Sequence, residues 1–127
     1  MATDLCIELE NKPGELARVA AAISDAGVTI AAATCLGNAE RAELHVLVPH
    51  AEPVRRALAI TSTAITAERE VVVVQATDQP GELASLARRV AEAGVNLDLL
   101  YVATRSRMVF GSPDLERLRA VFDGEAL

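Results

Sequence analysis

Aromatic side chains are nearly missing from this sequence. Tyr101, Phe110 and Phe122 are the whole complement, 2% of 127 residues, and there is no tryptophan. A core made without them must be aliphatic and small-grained, and the 24 alanines supply the grain. Cysteine is scarce as well: Cys6 and Cys35 stand apart with no CxxC spacing, which excludes a disulfide scaffold and gives no zinc-ribbon pattern. Lysine occurs once, at Lys12, and the net charge is −6, so the chain repels phosphate backbones and nucleic acid is not an expected partner. No apolar run approaches the roughly 20 residues of a membrane span, and Met1-Ala2-Thr3-Asp4 carries no basic stretch ahead of an apolar one. A cytoplasmic protein without membrane contact is the expectation. What is present is a folded composition, 51% apolar and 24% charged.

The chain repeats itself. Asn11-Lys12-Pro13-Gly14-Glu15-Leu16-Ala17 returns 67 residues later as Asp78-Gln79-Pro80-Gly81-Glu82-Leu83-Ala84, and at the same offset Ala26-Gly27-Val28-Thr29-Ile30 returns as Ala93-Gly94-Val95-Asn96-Leu97. A repeat that stays in phase this long is a duplicated supersecondary unit.

Each copy has the same grammar. Residues 4–10 alternate with period two, placing Leu5, Ile7 and Leu9 on one face of a strand; 71–76 is the counterpart, with Val72, Val74 and Ala76 toward the core and Val71 and Val73 covering the other side. The Pro-Gly-Glu turn then opens a helix with apolar residues at Leu16, Val19, Ala20 and Ile23, or Leu83, Leu86, Ala87 and Val90. Pro is expected at the first helical position, the following Glu as a cap for free amides, and Gly27 or Gly94 as the stop. A strand over 28–36, a turn at Gly37-Asn38, a strand with Ala42, Leu44, Val46 and Val48 inward, a helix from Pro53 and a strand over 64–69 complete a βαββαβ unit. The second copy has strands over 95–104 and 108–111 and a helix from Pro113 carrying Leu115, Leu118 and Phe122. The second-helix prolines are 60 residues apart, so the second hairpin is seven residues shorter, and its last strand is short or absent. An uncovered sheet edge of that kind favours an oligomer.

A Pro-Gly turn at a helix start gathers backbone N–H groups and the positive end of a helix dipole around a small concavity, which suits carboxylates and phosphates. Such turns are also common as plain turns, and it is the duplication that favours binding.

The order βαββαβ, with (Asn/Asp)-x-Pro-Gly-x-Leu leading to Gly-Val-(Asn/Thr)-(Ile/Leu), resembles the ACT domain, a regulatory module that binds small ligands, usually amino acids. The chain resembles two such domains in tandem, 1–68 and 69–127. The resemblance implies an α+β fold of two ferredoxin-like repeats in a continuous antiparallel sheet with helices on one face. It implies ligands held by the Pro-Gly loop of one unit and a residue early in the second strand of a neighbour. Carried over, one candidate site joins Asn11, Lys12, Pro13, Gly14, Glu15 and Leu16 to Asn96. The other joins Asp78, Gln79, Pro80, Gly81, Glu82 and Leu83 to Thr29. In serine-binding relatives both polar positions are Asn, as Asn11 and Asn96 are. Asp78 and Thr29 depart from this, and an acidic Asp78 favours an ammonium and repels a carboxylate, so the second site binds differently or not at all.

Other constellations carry less. Cys6, Glu8, Glu43 and His45 fall on the non-helical face of two strands the family places side by side, but no ligand spacing supports a metal, and a solvated sheet face is the expectation. His50 reads as a loop residue. Arg105-Ser106-Arg107 reads as a solvated turn in preference to an anion clamp, and the Arg55-Arg56 and Arg88-Arg89 pairs as solvated helix faces. The serines lack any His-acid arrangement and no Walker-type loop is present. Neither catalysis nor a cofactor is expected. The resemblance implies a regulator acting through linkage, as a homodimer or with a target enzyme. A regulatory subunit of an amino-acid biosynthetic enzyme, or an assembly module without ligand, are the rival readings.

Overall fold

In the computed structural model, which describes residues 2–127, the alternation of Thr3–Glu10 becomes strand β1, with Leu5, Ile7 and Leu9 in a core. Helix α1 (Glu15–Asp25) follows, then the hairpin β2 (Ala32–Asn38) and β3 (Arg41–Val48), helix α2 (Ala51–Ile60) and β4 (Ile65–Glu70). The sheet order is β2-β3-β1-β4, with β1 and β3 antiparallel and Ile7 opposite Leu44. The core joins Leu5, Ile7 and Leu9 to Leu44, Val46 and Val48 from β3, Val19 and Ile23 from α1, and Val54 and Leu58 from α2. This is the aliphatic packing that the composition requires. Helices on one face, alternating strands and short connections produce it without an aromatic ring.

A second set of elements follows one residue after β4. Strand β5 (Val72–Gln75), helix α3 (Glu82–Glu92), the hairpin β6 (Leu99–Ala103) and β7 (Arg107–Gly111), and helix α4 (Leu115–Val121) form a three-stranded sheet of order β5-β7-β6 under two helices. Backbone contacts divide the chain into two compact units, Ala2–Arg69 and Glu70–Leu127. The α+β class is the expected one. The expected continuous sheet is corrected, because the strand pairing closes into one four-stranded and one three-stranded sheet, each paired within its own repeat. At the position of a fourth strand in the second unit, Ala126 forms a single bridge with Val74, and the Leu127 amide donates to Val73 O at 2.8 Å.

The second core contains both phenylalanines. Phe110 and Phe122 are fully buried and stack with centroids 5.3 Å apart and planes 16° from parallel, among Val72, Val74, Leu86, Val90 and Leu118. Arg89 was expected on a solvated helix face. Its guanidinium instead lies 5.1 Å from the Phe122 ring centroid, donates to Val121 O at 3.1 Å and pairs with Glu125 at 2.5 Å, fastening the last turn of the chain to α3. On the face away from these helices Val73, Tyr101 and Val109 sit on opposed register positions and are buried as well. Both faces of this sheet are therefore apolar.

Some expected boundaries move. The second strand of each unit starts at Ala32 and Leu99 instead of 28 and 95. Its partner stops first: β3 ends at Val48 before Pro49, and β7 ends at Gly111 before Ser112-Pro113, so no ladder is available further back. Val28, Ile30, Val95 and Leu97 still pack into their cores from these connecting segments. Helix α2 begins at Ala51, which makes Pro53 its third residue, where the amide has no helical acceptor to lose. In α4, Asp114 is the cap, its side chain accepting from the Arg117 amide at 3.3 Å.

Candidate functional site

The two Pro-Gly loops have almost the same backbone. Gly14 and Gly81 are the N-caps of α1 and α3 at φ 89°, ψ −16° and φ 88°, ψ −6°, in the left-handed region that an L side chain rarely adopts. The hydrogen bonds match too: Glu15 N to Lys12 O at 3.4 Å and Arg18 N to Gly14 O at 2.9 Å in one, Glu82 N to Gln79 O at 3.3 Å and Ser85 N to Gly81 O at 2.9 Å in the other. Pro13 and Pro80 thus precede the helix, where the sequence places them at its first position. The glycine turns the chain and the helix starts after it.

Neither glutamate caps the amides. Glu15 accepts from Arg18 Nε at 2.8 Å, and Glu82 accepts from Thr77 Oγ1 at 2.9 Å. A Cβ at Gly14 or Gly81 would meet nothing within 4 Å, so the space beside each glycine is open. Beside each lies an exposed leucine, Leu16 at 48% and Leu83 at 38%. The helical stripe places both in the core; they stand exposed in the first turn next to the loop, and Leu83 lines a cavity together with its loop.

The surroundings differ in charge. The second loop bounds a cavity of about 460 Å³ with Asp78, Gln79, Gly81, Glu82, Leu83, Val102, Ser106 and Met108, a lining that contains two acids and no base. Around the first loop, one concavity of about 340 Å³ is lined by Glu10, Asn11, Lys12, Glu40 and Arg41, and another includes Glu15 and Arg18. Cations line the concavities of the first loop only, each paired with a glutamate: Arg18 with Glu15 at 2.7 Å and Arg41 with Glu8 at 3.4 Å. Lys12 itself pairs with Glu10 at 2.8 Å, which holds that carboxyl below its usual range.

Asn11 has a structural duty the sequence does not reveal. Its Nδ2 donates to Ala39 O at 2.9 Å, and the side chain lies over Gly37, where a Cβ would come within 2.8 Å of Nδ2 and 3.0 Å of Cγ and Oδ1. Gly37 is in β2 opposite Ala42, and the signal for this contact is the long pairing of β1 with the hairpin. Gly37→Ala is expected to cost about 1–3 kcal/mol by forcing Asn11 off the turn. Urea denaturation checks this, and the cost should shrink markedly in the Asn11→Ala background, because the two residues share one contact. Thr29 and Asn96 are both exposed, and lie in the segments ahead of β2 and β6 instead of within strands.

A third group lies on the far face of the first sheet. Asp4 and Cys6 are buried in β1, and His45, opposite Cys6 in β3, has Nδ1 2.9 Å from Asp4 Oδ2 and Nε2 2.7 Å from Glu43 Oε1. Burial works against charge on His45, but the bonds to Asp4 and Glu43 outweigh it and its pKa is raised. Glu43 is lowered by the same bond, and burial pushes the Cys6 thiol up. The expected solvated face holds true for Glu8 and Glu43, whereas Asp4 and Cys6 are nearly sealed.

No protein-family model matches the sequence, and no curated protein matches it either. Solved structures do. A crystal structure of a Bacteroides thetaiotaomicron protein is 23% identical with a TM-score of 0.87, covering 98% of this chain and 90% of that one. The ligand-free regulatory subunit of aspartate kinase from Thermus thermophilus is 21% identical with a TM-score of 0.67, covering 94% and 89%. The corresponding subunit from Thermus flavus is 20% identical with a TM-score of 0.66, covering 94% and 89%. Among the described residues no helix is long and apolar enough to cross a membrane. At these identities the likeness is one of fold: the α+β fold of this chain, with two antiparallel sheets and four helices, resembles that of the aspartate kinase regulatory subunits.

Proposed function

We propose that the chain is a tandem of two ACT-type regulatory units, 1–68 and 69–127, that binds an amino acid or a similar small amphoteric metabolite and acts without chemistry of its own. The observation that carries this reading is the recurrence of one loop geometry in two different sequences, each pairing a left-handed glycine and a helix start that no side chain caps with an exposed leucine. Amides at a helix start suit a carboxylate, and the adjoining leucine suits an apolar side chain. Asn96 and Thr29 are the candidate second contacts. The first loop, where Lys12, Arg18 and Arg41 offset the glutamates around them, is the better carboxylate site; the second, with two acids and no base, favours an ammonium group.

Ligand binding of this kind changes shape or association by linkage, with about 1–3 kcal/mol felt at a partner. The partner is a second copy or a separate target enzyme, in the cytoplasm. The likeness to regulatory subunits of aspartate kinase favours the variant in which the target is an amino-acid biosynthetic enzyme. The engagement of Asn11 with the hairpin turn favours the other variant, an assembly module that has lost its ligand.

A thermal-shift panel of the twenty amino acids, with calorimetry on any hit, separates these. At a hundred times its dissociation constant a true ligand stabilises the protein by about 2.7 kcal/mol. At least one amino acid should raise the melting temperature, and Asn96→Ala should remove the effect. A panel flat at millimolar concentration leaves the assembly module as the function.

A further inference from the structure

We propose that Cys6, Glu43 and His45 form a binding site for a divalent transition metal of the zinc type on the non-helical face of the first sheet. One donor atom from each of the three lies within 4.8 Å of the others. Nothing in the chain spacing announces this set. It is created by strand register, which places Cys6 opposite His45 and puts Glu43 two residues along β3 on the same face.

The donor types narrow the metal. A thiolate, an imidazole and a carboxylate suit zinc or cobalt, whereas magnesium and calcium take oxygen ligands. The imidazole is already oriented. Its Nδ1 is held at 2.9 Å by the carboxylate of Asp4, whose side chain is only 1% exposed, and this leaves Nε2 directed at Glu43. A histidine that ligates a metal is ordinarily fixed through its other nitrogen in this way, and a buried carboxylate is a usual partner. Glu43 and His45 also line a groove of about 690 Å³, together with Glu8, Thr34, Arg41 and Thr66. A metal held by three protein ligands there keeps a coordination position open toward the groove, for water or for a small anionic group. Asp4 is a positioning residue in this scheme, with no direct bond to the metal. The ladder fixes the backbone of β1 and β3, so bringing three donors from within 4.8 Å onto one ion falls to side-chain rotation, with Glu43 the exposed member.

Cobalt(II) titration of the full chain tests the proposal, because a cysteine thiolate bound to cobalt gives an intense near-ultraviolet charge-transfer band. The band should saturate at one cobalt per chain and be displaced by zinc. It should vanish in Cys6→Ser, weaken strongly in His45→Gln and Glu43→Gln, and persist in Cys35→Ser, which removes the exposed cysteine. Asp4→Asn should lower affinity about 10- to 100-fold while keeping the band. Where Cys6→Ser does not fold, as judged by circular dichroism, Glu43→Gln at its exposed position carries the same reading. The proposal is overturned if the wild type shows no saturable band, if the band follows Cys35, or if Glu43→Gln and His45→Gln bind cobalt as the wild type does.

Discussion

Replacing Phe122 by alanine should cost the second unit about 3–5 kcal/mol of stability. Phe122 is fully buried, and it stacks on Phe110 while the Arg89 guanidinium covers it. In a chain with two phenylalanines and no tryptophan, this pair is most of the aromatic area available to a core. An aromatic pair adds about 0.5–1.5 kcal/mol beyond its buried area, and the loss of the ring also removes the surface on which Arg89 lies. A unit of this size has little margin, since domains near 60 residues bury only about 60% of their unfolded surface. Hydrogen exchange should show β5, β6 and β7 losing protection in Phe122→Ala, and equilibrium urea denaturation should give the cost. A loss below 1 kcal/mol would mean that the core can close around the gap.

The second large effect concerns the loops. The double variant Gly14→Val, Gly81→Val should abolish any amino-acid response. Both glycines are left-handed, and a β-branched residue there either strains the turn or re-forms it in another conformation. Open space at each Cβ means that the first side-chain atom meets no neighbour, so the substitutions act on the loop itself. The strain costs about 1–2 kcal/mol per site. Thermal shift of the double variant against the single ones reports which loop carries the response, and the cations beside it make the first loop the expected one. Retention of the full response in the double variant would place the ligand elsewhere.

Much of the fold is readable because the repeat checks itself. Period-two strands, amphipathic helices and Pro-Gly turns occur twice in phase, and Leu5, Ile7, Val19, Ile23, Val72, Val74, Leu86 and Val90 all take the core positions that their spacing implies. What escapes the sequence is whatever depends on register or on distant segments. Leu16 and Leu83 fit the helical stripe but stand in a first turn, outside the core. Pro13 and Pro80 satisfy the usual rule for a first helical residue, yet the left-handed glycine after each becomes the cap and postpones the helix by two residues. Arg89 looks solvated because its partners, Val121 and Glu125, lie more than thirty residues away. Asn11 looks like a ligand contact because its glycine partner is on another strand. The Asp4, Cys6, Glu43 and His45 group exists only once β1 and β3 are paired.

The same logic governs the site. The loops are legible as motifs, since a helix start after Pro-Gly has a defined chemistry. Their inequality is also legible, in Asp78 against Asn11. The cavity at the second loop needs the hairpin β6–β7 in place; that hairpin is shortened in its strands, and its three-residue turn, which brings Ser106 there, contains left-handed residues no composition rule anticipates.

The central claim is that the Pro-Gly loops bind an amino acid through the first-turn amides. Titration of isotope-labelled protein with the best amino acid from the panel, followed by amide chemical shifts, tests it most directly. Saturable shifts should concentrate at Leu16, Ala17 and Arg18, or at Leu83, Ala84 and Ser85, with small changes elsewhere in the same unit. Saturable binding whose shifts leave both loops untouched would contradict it.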